Sequence, residues 1–148
     1  MADGTVIFTM GASKKDARTF FAALREAGVR RVLDIRLRNQ SALGGFTRGR
    51  DLAYFLQAIL GLEYAHRPEL APTKELLDGY RDKQIDWPEY ERRFAAILAE
   101  RRPEEKLSRE ELDGACLLCS EPRPDKCHRR LLAEHLARAW GGALVRHL

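Results

Sequence analysis

The sequence Ala115-Cys116-Leu117-Leu118-Cys119 is an uninterrupted apolar run, and a polar loop then leads to Cys127-His128-Arg129-Arg130. A short apolar run of this kind is typical of a strand that is buried on both faces of a parallel sheet. The pattern over residues 125–140 is typical of a helix that follows such a strand. This strand–loop–helix unit predicts an α/β fold.

Strand and helix patterns also alternate along the rest of the chain. Apolar runs predict strands over residues 6–10, 29–35, 62–66, 115–119 and 143–147. Ser13 is expected to cap the first helix, and the charged residues 101–111 are expected to be solvated. Alternating strands and helices predict a single three-layer α/β domain over residues 1–148, with a mostly parallel, Rossmann-like sheet of about five strands flanked by helices.

Composition and charge narrow the class of protein. The chain has 148 residues, which suits one hydrophobic core, and 45% of them are hydrophobic, which is typical of a globular domain. No apolar run reaches the roughly 20 residues of a membrane span, and no secretory signal is seen, so we expect a cytoplasmic protein that does not bind membranes. The net charge of +4 permits contact with phosphates without requiring it. The oligomeric state is not predicted.

The predicted topology brings polar residues from distant segments to one edge of the sheet. Right-handed crossovers place the carboxyl ends of parallel strands together, and ligands bind at that edge in such folds. The residues expected there are Gly11, Ser13, Asp34, Arg36, His66, Arg67, Cys119 and Glu121. They face the predicted start of the last helix.

Cys127, His128 and Arg129 begin that helix, where free backbone N–H groups carry a partial positive charge. This position lowers the pKa of a thiol and also binds anions. Cys127 is therefore a candidate nucleophile, a candidate part of a phosphate site, or simply a small buried residue. The sequence leaves these three interpretations open.

The three cysteines allow two further arrangements. Cys119 and Cys127 could form a redox pair across the loop, although that loop contains two prolines. Cys116, Cys119, Cys127 and His128 could supply four zinc ligands. Residues three apart in one strand point to opposite faces, however, so we predict no metal site and no cofactor.

The two carboxylates of this edge each have two interpretations. Glu121 could act as a general acid or base, or it could anchor its loop. Asp34 could hold a ribose hydroxyl or position a base, or it could pair internally with Arg36. The Gly- and Arg-rich loop over residues 36–50 is similar to an anion-binding flap, but Phe46 is its only aromatic residue, so stacking of nucleic-acid bases is a weak expectation.

These motifs together resemble the Domain of Unknown Function family 488. Its members carry Thr-Ile-Gly-His-Ser, Asp-Val-Arg, Cys-x-Glu and Cys-His-Arg patterns. The corresponding stretches here are Thr9-Met10-Gly11-Ala12-Ser13, Asp34-Ile35-Arg36, Cys119-Ser120-Glu121 and Cys127-His128-Arg129. The resemblance implies an intracellular α/β domain without an assigned activity. Ala12 replaces the histidine of the first pattern, so any acid–base role of that histidine is absent here or is taken by a group such as His66.

The predicted function is binding of a phosphate-bearing ligand, either a small molecule such as a nucleotide or a nucleic-acid end. The expected ligand-binding residues are Gly11, Ser13, Arg36, Cys119, His128 and Arg129. If the protein is an enzyme, we expect a transferase or hydrolase that uses Cys127, Glu121 or Asp34. The alternatives are a thiol-dependent enzyme or redox sensor with Cys127 and Cys119, and an interaction module without catalytic activity.

Overall fold

A computed structural model describes residues 4–148, except for the side chains of residues 42 and 43. The predicted domain span also includes residues 1–3, which lie outside the described residues. The strands of the sheet are β1 (Val6–Gly11), β2 (Arg31–Asp34), β3 (Glu63–His66), β4 (Ala115–Cys119) and β5 (Leu144–His147). All neighbouring strands are parallel, in the order β3-β2-β4-β1-β5.

Helices cover both faces of this sheet. They are α1 (Ala17–Ala27), α2 (Gly49–Phe55), α3 (Lys74–Arg81), α4 (Trp87–Arg101), α5 (Pro103–Lys106), α6 (Arg109–Leu112) and α7 (His128–Trp140). A π-helical turn, Leu56–Leu60, extends α2, and short 3-10 helices span Ala42–Thr47 and Pro68–Leu70. Helices α1 and α2 pack in one apolar cluster, and α3, α4 and α7 pack in the other. The predicted three-layer α/β fold is confirmed.

Strand β4 lies in the centre of the sheet, as its uninterrupted apolar sequence predicts. All five of its residues are buried. Cys116 and Leu118 pack in the cluster beneath α1 and α2, whereas Leu117 packs in the cluster beneath α4 and α7. An apolar residue is needed at every position because both faces of the strand are covered by helices.

One local prediction is wrong, and a second is incomplete. Asp16, rather than Ser13, caps α1, and its Oδ1 accepts a hydrogen bond from the Thr19 backbone N–H at 2.8 Å. The charged residues among 101–111 are exposed or half-exposed, as predicted, but the segment also contains α5 and the start of α6, and the Leu107 side chain is buried. The many charged residues of this segment indicate exposure, and they outweigh the few apolar residues, such as Pro103 and Leu107, that pack on the core.

The strand order places the carboxyl ends of β1, β4 and β2 side by side. Chain connections pass over the position of β4, which is inserted between β1 and β2. Gly11 is paired with Cys119, and Asp34 is paired with Leu118. Such a switch point is where parallel α/β sheets form their ligand sites. No helix within residues 4–148 has the length and apolar character needed to cross a membrane.

Candidate functional site

Asp34 lies at the end of β2 with its carboxylate fully buried and fully bonded. Arg36 donates to both of its oxygens, with distances of 2.8 Å from Nε and 2.7 Å from Nη2. The Tyr64 hydroxyl donates to Oδ2 at 2.5 Å, and Asn39 Nδ2 lies 3.2 Å from the same oxygen. Arg36 also donates to the Thr47 carbonyl at 2.7 Å, which ties the 36–50 loop to β2.

These contacts make Asp34 and Arg36 an internal ion pair. Burial alone would raise the pKa of Asp34, but the hydrogen bonds and positive charge of Arg36, with help from Tyr64, lower that pKa below its ordinary value. Of the two interpretations that the sequence allowed, the structure shows the salt bridge. The Asp34 carboxylate has no oxygen left for a ribose hydroxyl or a water molecule.

Gly11 permits a close approach of two backbones, and the approaching segment is the protein's own β4–α7 loop. A Cβ on residue 11 would overlap the Glu121 carbonyl oxygen and would lie 2.9 Å from Pro122 Cα. The Ala12 backbone N–H donates to the Cys119 carbonyl at 2.7 Å, and Ser13 donates in the same way to Ser120 at 3.0 Å. Gly11 thus holds the loop against β1, and the loop occupies the place expected for a ligand.

Arg129 is the largest fully buried side chain in the described structure, and it holds the same loop. Its Nη1 donates to the Glu121 carbonyl, and its Nη2 lies 3.5 Å from the Pro122 carbonyl. Its Nε lies 3.2 Å from Thr9 Oγ1. Within residues 4–148, no carboxylate forms an ion pair with this guanidinium. The Arg129 guanidinium, predicted to bind a ligand, donates to loop carbonyls in this structure.

Cys119, Cys127 and His128 form a buried cluster at the start of α7. Their ligand-type atoms all lie within 4.8 Å of one another, and Cys119 Sγ is 3.4 Å from His128 Nδ1. His128 Nε2 lies 3.0 Å from the Ile35 carbonyl oxygen, just beyond β2. The Phe94 ring meets the His128 ring edge-on, with a centroid separation of 5.9 Å, and this contact fixes the imidazole from the α4 side.

The sequence predicts a lowered pKa for the Cys127 thiol, but in the structure the thiol with the lowered pKa is that of Cys119. Burial opposes ionisation of Cys119, but hydrogen bonding from the Cys127 thiol and from the Ser120 and Glu121 backbones lowers the pKa of Cys119. Its interaction with Cys119, together with burial, raises the pKa of Cys127 despite the helix start. Burial lowers the pKa of His128, so this imidazole is neutral at pH 7. Cys119 is thus the thiol whose ionised form is favoured.

A cavity of about 370 Å³, here called the thiol cavity, opens beside this cluster. Six of the side chains that line it are Tyr80, Trp87, Tyr90, Cys119, Cys127 and His128. Trp87 and Tyr90 are stacked, with ring centroids 4.9 Å apart. The exposed Glu121 also lines this cavity, so its carboxylate is available there. Its backbone carbonyl, by contrast, anchors the loop through Arg129.

A second cavity of about 400 Å³, here called the basic cavity, lies on the other side of the same edge. Its lining contains Ser13 and five cationic side chains, which are Lys14, Lys15, Arg36, Arg38 and Arg48. None of the described residues that line it is acidic. Arg36, Arg38 and Ser120 line both cavities, so the two cavities meet at these residues.

The sequence does not predict that Tyr80, Trp87 and Tyr90 form an aromatic wall of the thiol cavity, or that Tyr64 binds Asp34. Tyr80, Trp87 and Tyr90 belong to the α3–α4 region, where their spacing is that of core residues in a helix. Tyr64 lies on β3, and its sequence position predicts a strand residue but not a partner for Asp34. The one signal of an aromatic wall in the sequence is the alternation of aromatic and charged residues near Asp86. That spacing is equally typical of a helix that packs on a core.

One comparison with known proteins gives a match. The family model described as Domain of unknown function DUF488 matches residues 16–136, which is most of the chain. The match contains Asp34, Cys119, Glu121, Cys127 and His128. It leaves out the segment around Ala12. Neither a curated protein nor a solved structure matches the chain.

Proposed function

Because the chain belongs to the DUF488 family, whose function is unknown, we propose its function from the site: it binds a phosphate-bearing ligand where the thiol and basic cavities meet. The basic cavity takes the phosphate, and the aromatic wall of the thiol cavity takes the rest of the ligand. A nucleotide or a nucleic-acid end has both of these parts.

The single observation that carries this proposal is the uncompensated charge of the basic cavity. Arg36 is neutralised by Asp34. Lys14, Arg38 and Arg48 have no ion pair with any residue among 4–148. Cations that crowd one cavity without carboxylates raise its potential and attract an anion. A phosphate is the anion that these arginines suit, because a guanidinium group can donate to two phosphate oxygens at once.

The aromatic wall supports a ligand with a planar ring. Trp87 and Tyr90 are stacked on each other at an interplanar angle of 21°, and Tyr80 lies beside them. Aromatic side chains bind nucleobases by stacking, with about 1–3 kcal/mol per base. Glu121, in the same cavity, is the carboxylate that we assign to a ligand hydroxyl.

Calorimetric titration with inorganic pyrophosphate and with a series of nucleoside phosphates tests this proposal. We expect saturable binding, and we expect Arg38→Ala to weaken it about 10- to 100-fold, since a hydrogen bond to a charged group contributes about 1.5–3 kcal/mol. Arg25→Ala is the matched control, because Arg25 is exposed at the far end of α1. Absence of binding to every phosphate compound, or equal weakening by both variants, would contradict the proposal.

Thiol chemistry is a second candidate, and the adjacency of Cys119 and Cys127 supports it. We propose that a peroxide oxidises this pair with the roles of the sequence prediction exchanged. The Cys119 sulfur attacks the peroxide and releases one water molecule, which leaves a sulfenic acid. The Cys127 sulfur then displaces the second oxygen as water, and a disulfide forms.

Mass spectrometry after treatment with hydrogen peroxide checks this candidate. We expect the loss of two hydrogen atoms and a peptide cross-link between residues 119 and 127. Cys127→Ser should stop the reaction at the sulfenic acid on Cys119, whereas Cys116→Ala should leave it unchanged. A cross-link that involves Cys116, or no cross-link at all, would exclude the pair.

A further inference from the structure

The cluster of Cys119, Cys127 and His128 has the composition of a metal site. We propose that Cys119 Sγ, Cys127 Sγ and His128 Nδ1 bind one transition-metal ion of the Zn²⁺ class, with a fourth coordination position open to the thiol cavity. This inference does not depend on phosphate binding. It rests on the geometry of three buried side chains and on the contact that orients the imidazole.

The separations of the three ligand atoms suit a tetrahedral ion. Zn–S and Zn–N bonds of about 2.3 and 2.0 Å place neighbouring ligand atoms about 3.5–3.8 Å apart. Cys119 Sγ lies 3.4 Å from His128 Nδ1, and all three atoms lie within 4.8 Å of one another. Rotation of the Cys119 side chain, so that its sulfur moves from beside the ring toward the Nδ1 lone pair, would bring the three atoms to the corners of one tetrahedral face. Two sulfurs and one imidazole nitrogen are the ligand types that Zn²⁺ prefers in proteins.

The Ile35 carbonyl fixes the tautomer of the His128 imidazole as metal ligands need it. The Ile35 carbonyl can only accept a hydrogen bond, so the Nε2 that lies 3.0 Å from it carries the hydrogen. The lone pair is then on Nδ1, and the Cys119 sulfur lies beside the ring, 3.4 Å from Nδ1 and 3.6 Å from Nε2. Histidines that bind metals usually donate their other N–H to a carbonyl or carboxylate in this way. This contact is a second observation, independent of the clustering, that indicates a metal.

The number of protein ligands indicates an open site. Cys116, the fourth ligand that sequence alone could offer, packs with Met10 and Val32 on the other face of the sheet. Closed structural zinc sites have four protein ligands, whereas sites with three keep a position for water or substrate. The same three side chains line the thiol cavity, so that position is reached from the cavity. Cys116 lies on the opposite face of β4 from Cys119, as their spacing predicts, whereas the other three residues meet only in the folded protein.

Titration of the reduced, metal-free protein with Co²⁺, followed by displacement with Zn²⁺, tests the proposal. We expect one equivalent of Co²⁺, a thiolate-to-cobalt charge-transfer band and the visible bands of a tetrahedral ion. Cys127→Ser should weaken binding by more than about 100-fold, since loss of an outer-shell partner alone costs about 10–100-fold. Cys127 is the N-cap of α7, and serine is a favoured residue at that position, so this variant should fold.

Cys116→Ala is the matched control, because it removes a buried thiol that lies outside the cluster. It should retain one equivalent and the charge-transfer band. Thermal unfolding gives a second readout: Zn²⁺ should raise the melting temperature of the wild type and of Cys116→Ala, but not that of Cys127→Ser. No uptake by the reduced wild type, or equal uptake by Cys127→Ser, would overturn the proposal. Pyrophosphate titration of the metal-free protein keeps this outcome separate from that of phosphate binding.

Discussion

Asp34→Asn is expected to lower the free energy of unfolding by about 3–5 kcal/mol, because it leaves the buried Arg36 cation without its counter-charge. The substitution keeps the shape of the side chain. It replaces an acceptor with an amide that faces the donors of Arg36 and Tyr64. Urea unfolding at pH 7 measures the change, and an unaltered dependence on urea concentration would show that the compactness of both states is kept.

The control for this change is Asp82→Asn, which removes an exposed carboxylate that pairs with Arg81. Exposed ion pairs contribute about 0–1 kcal/mol, so this variant should unfold almost as the wild type does. A comparably small loss for Asp34→Asn would show that Arg36 does not depend on Asp34.

The same substitution has a predicted pH dependence. The pKa of Asp34 is lowered in the folded protein, so its contribution is complete above the ordinary carboxyl pKa of 3.8 and is lost as pH falls through the folded value. The difference in stability between wild type and Asp34→Asn should therefore stay constant from neutral pH down to the ordinary carboxyl pKa of 3.8. It should shrink only in more acidic solution. A difference that disappears near neutral pH would contradict the assignment.

Arg129→Met is expected to lower the free energy of unfolding by about 3 kcal/mol or more. Methionine fills much of the same volume, but it leaves the carbonyls of Glu121 and Pro122 without their donor. Both of these contacts are part-buried, and a buried carbonyl without a donor costs about 1–3 kcal/mol. The β4–α7 loop, which carries Cys127 at its end, should also loosen, and amide hydrogen exchange over residues 120–126 should become faster.

Arg130→Met is the matched control for Arg129→Met. Arg130 is the next residue of α7, and it pairs with the partly exposed Glu91 and Glu134. Its loss should change the free energy of unfolding by less than about 1 kcal/mol. If Arg129 were a direct phosphate ligand, Arg129→Met would abolish pyrophosphate binding and leave stability unchanged. That pattern would refute the structural role.

Much of the fold could be predicted because the spacing of hydrophobic residues in the local sequence indicates both the type of element and the faces that it buries. The run from Ala115 to Cys119 indicates a strand covered on both faces, and β4 is that strand. The turn residues and apolar spacing around it predict alternating helices. The local errors occur where one short pattern serves two structures: both Ser13 and Asp16 suit a helix cap, and only the path of the chain selects Asp16.

The candidate site was predicted as a set of residues but not as a set of contacts. Asp34, Cys119, Cys127 and His128 do lie at one edge of the sheet, as the parallel topology requires. Their partners come from segments far away in sequence. Asp34 meets Tyr64, His128 meets the Ile35 carbonyl, and Arg129 meets Thr9, which is 120 positions away.

The sequence by itself determined the layers, the parallel sheet and the edge at which polar side chains gather, because these follow from hydrophobic period and chain handedness. Only the tertiary structure decided what each polar group binds. A buried charge or thiol takes whichever partner the packing brings within about 3–4 Å, and that partner is chosen by strand order rather than by neighbours in the chain. For this reason Arg129 holds the β4–α7 loop, and Cys119 rather than Cys127 has the more favoured thiolate.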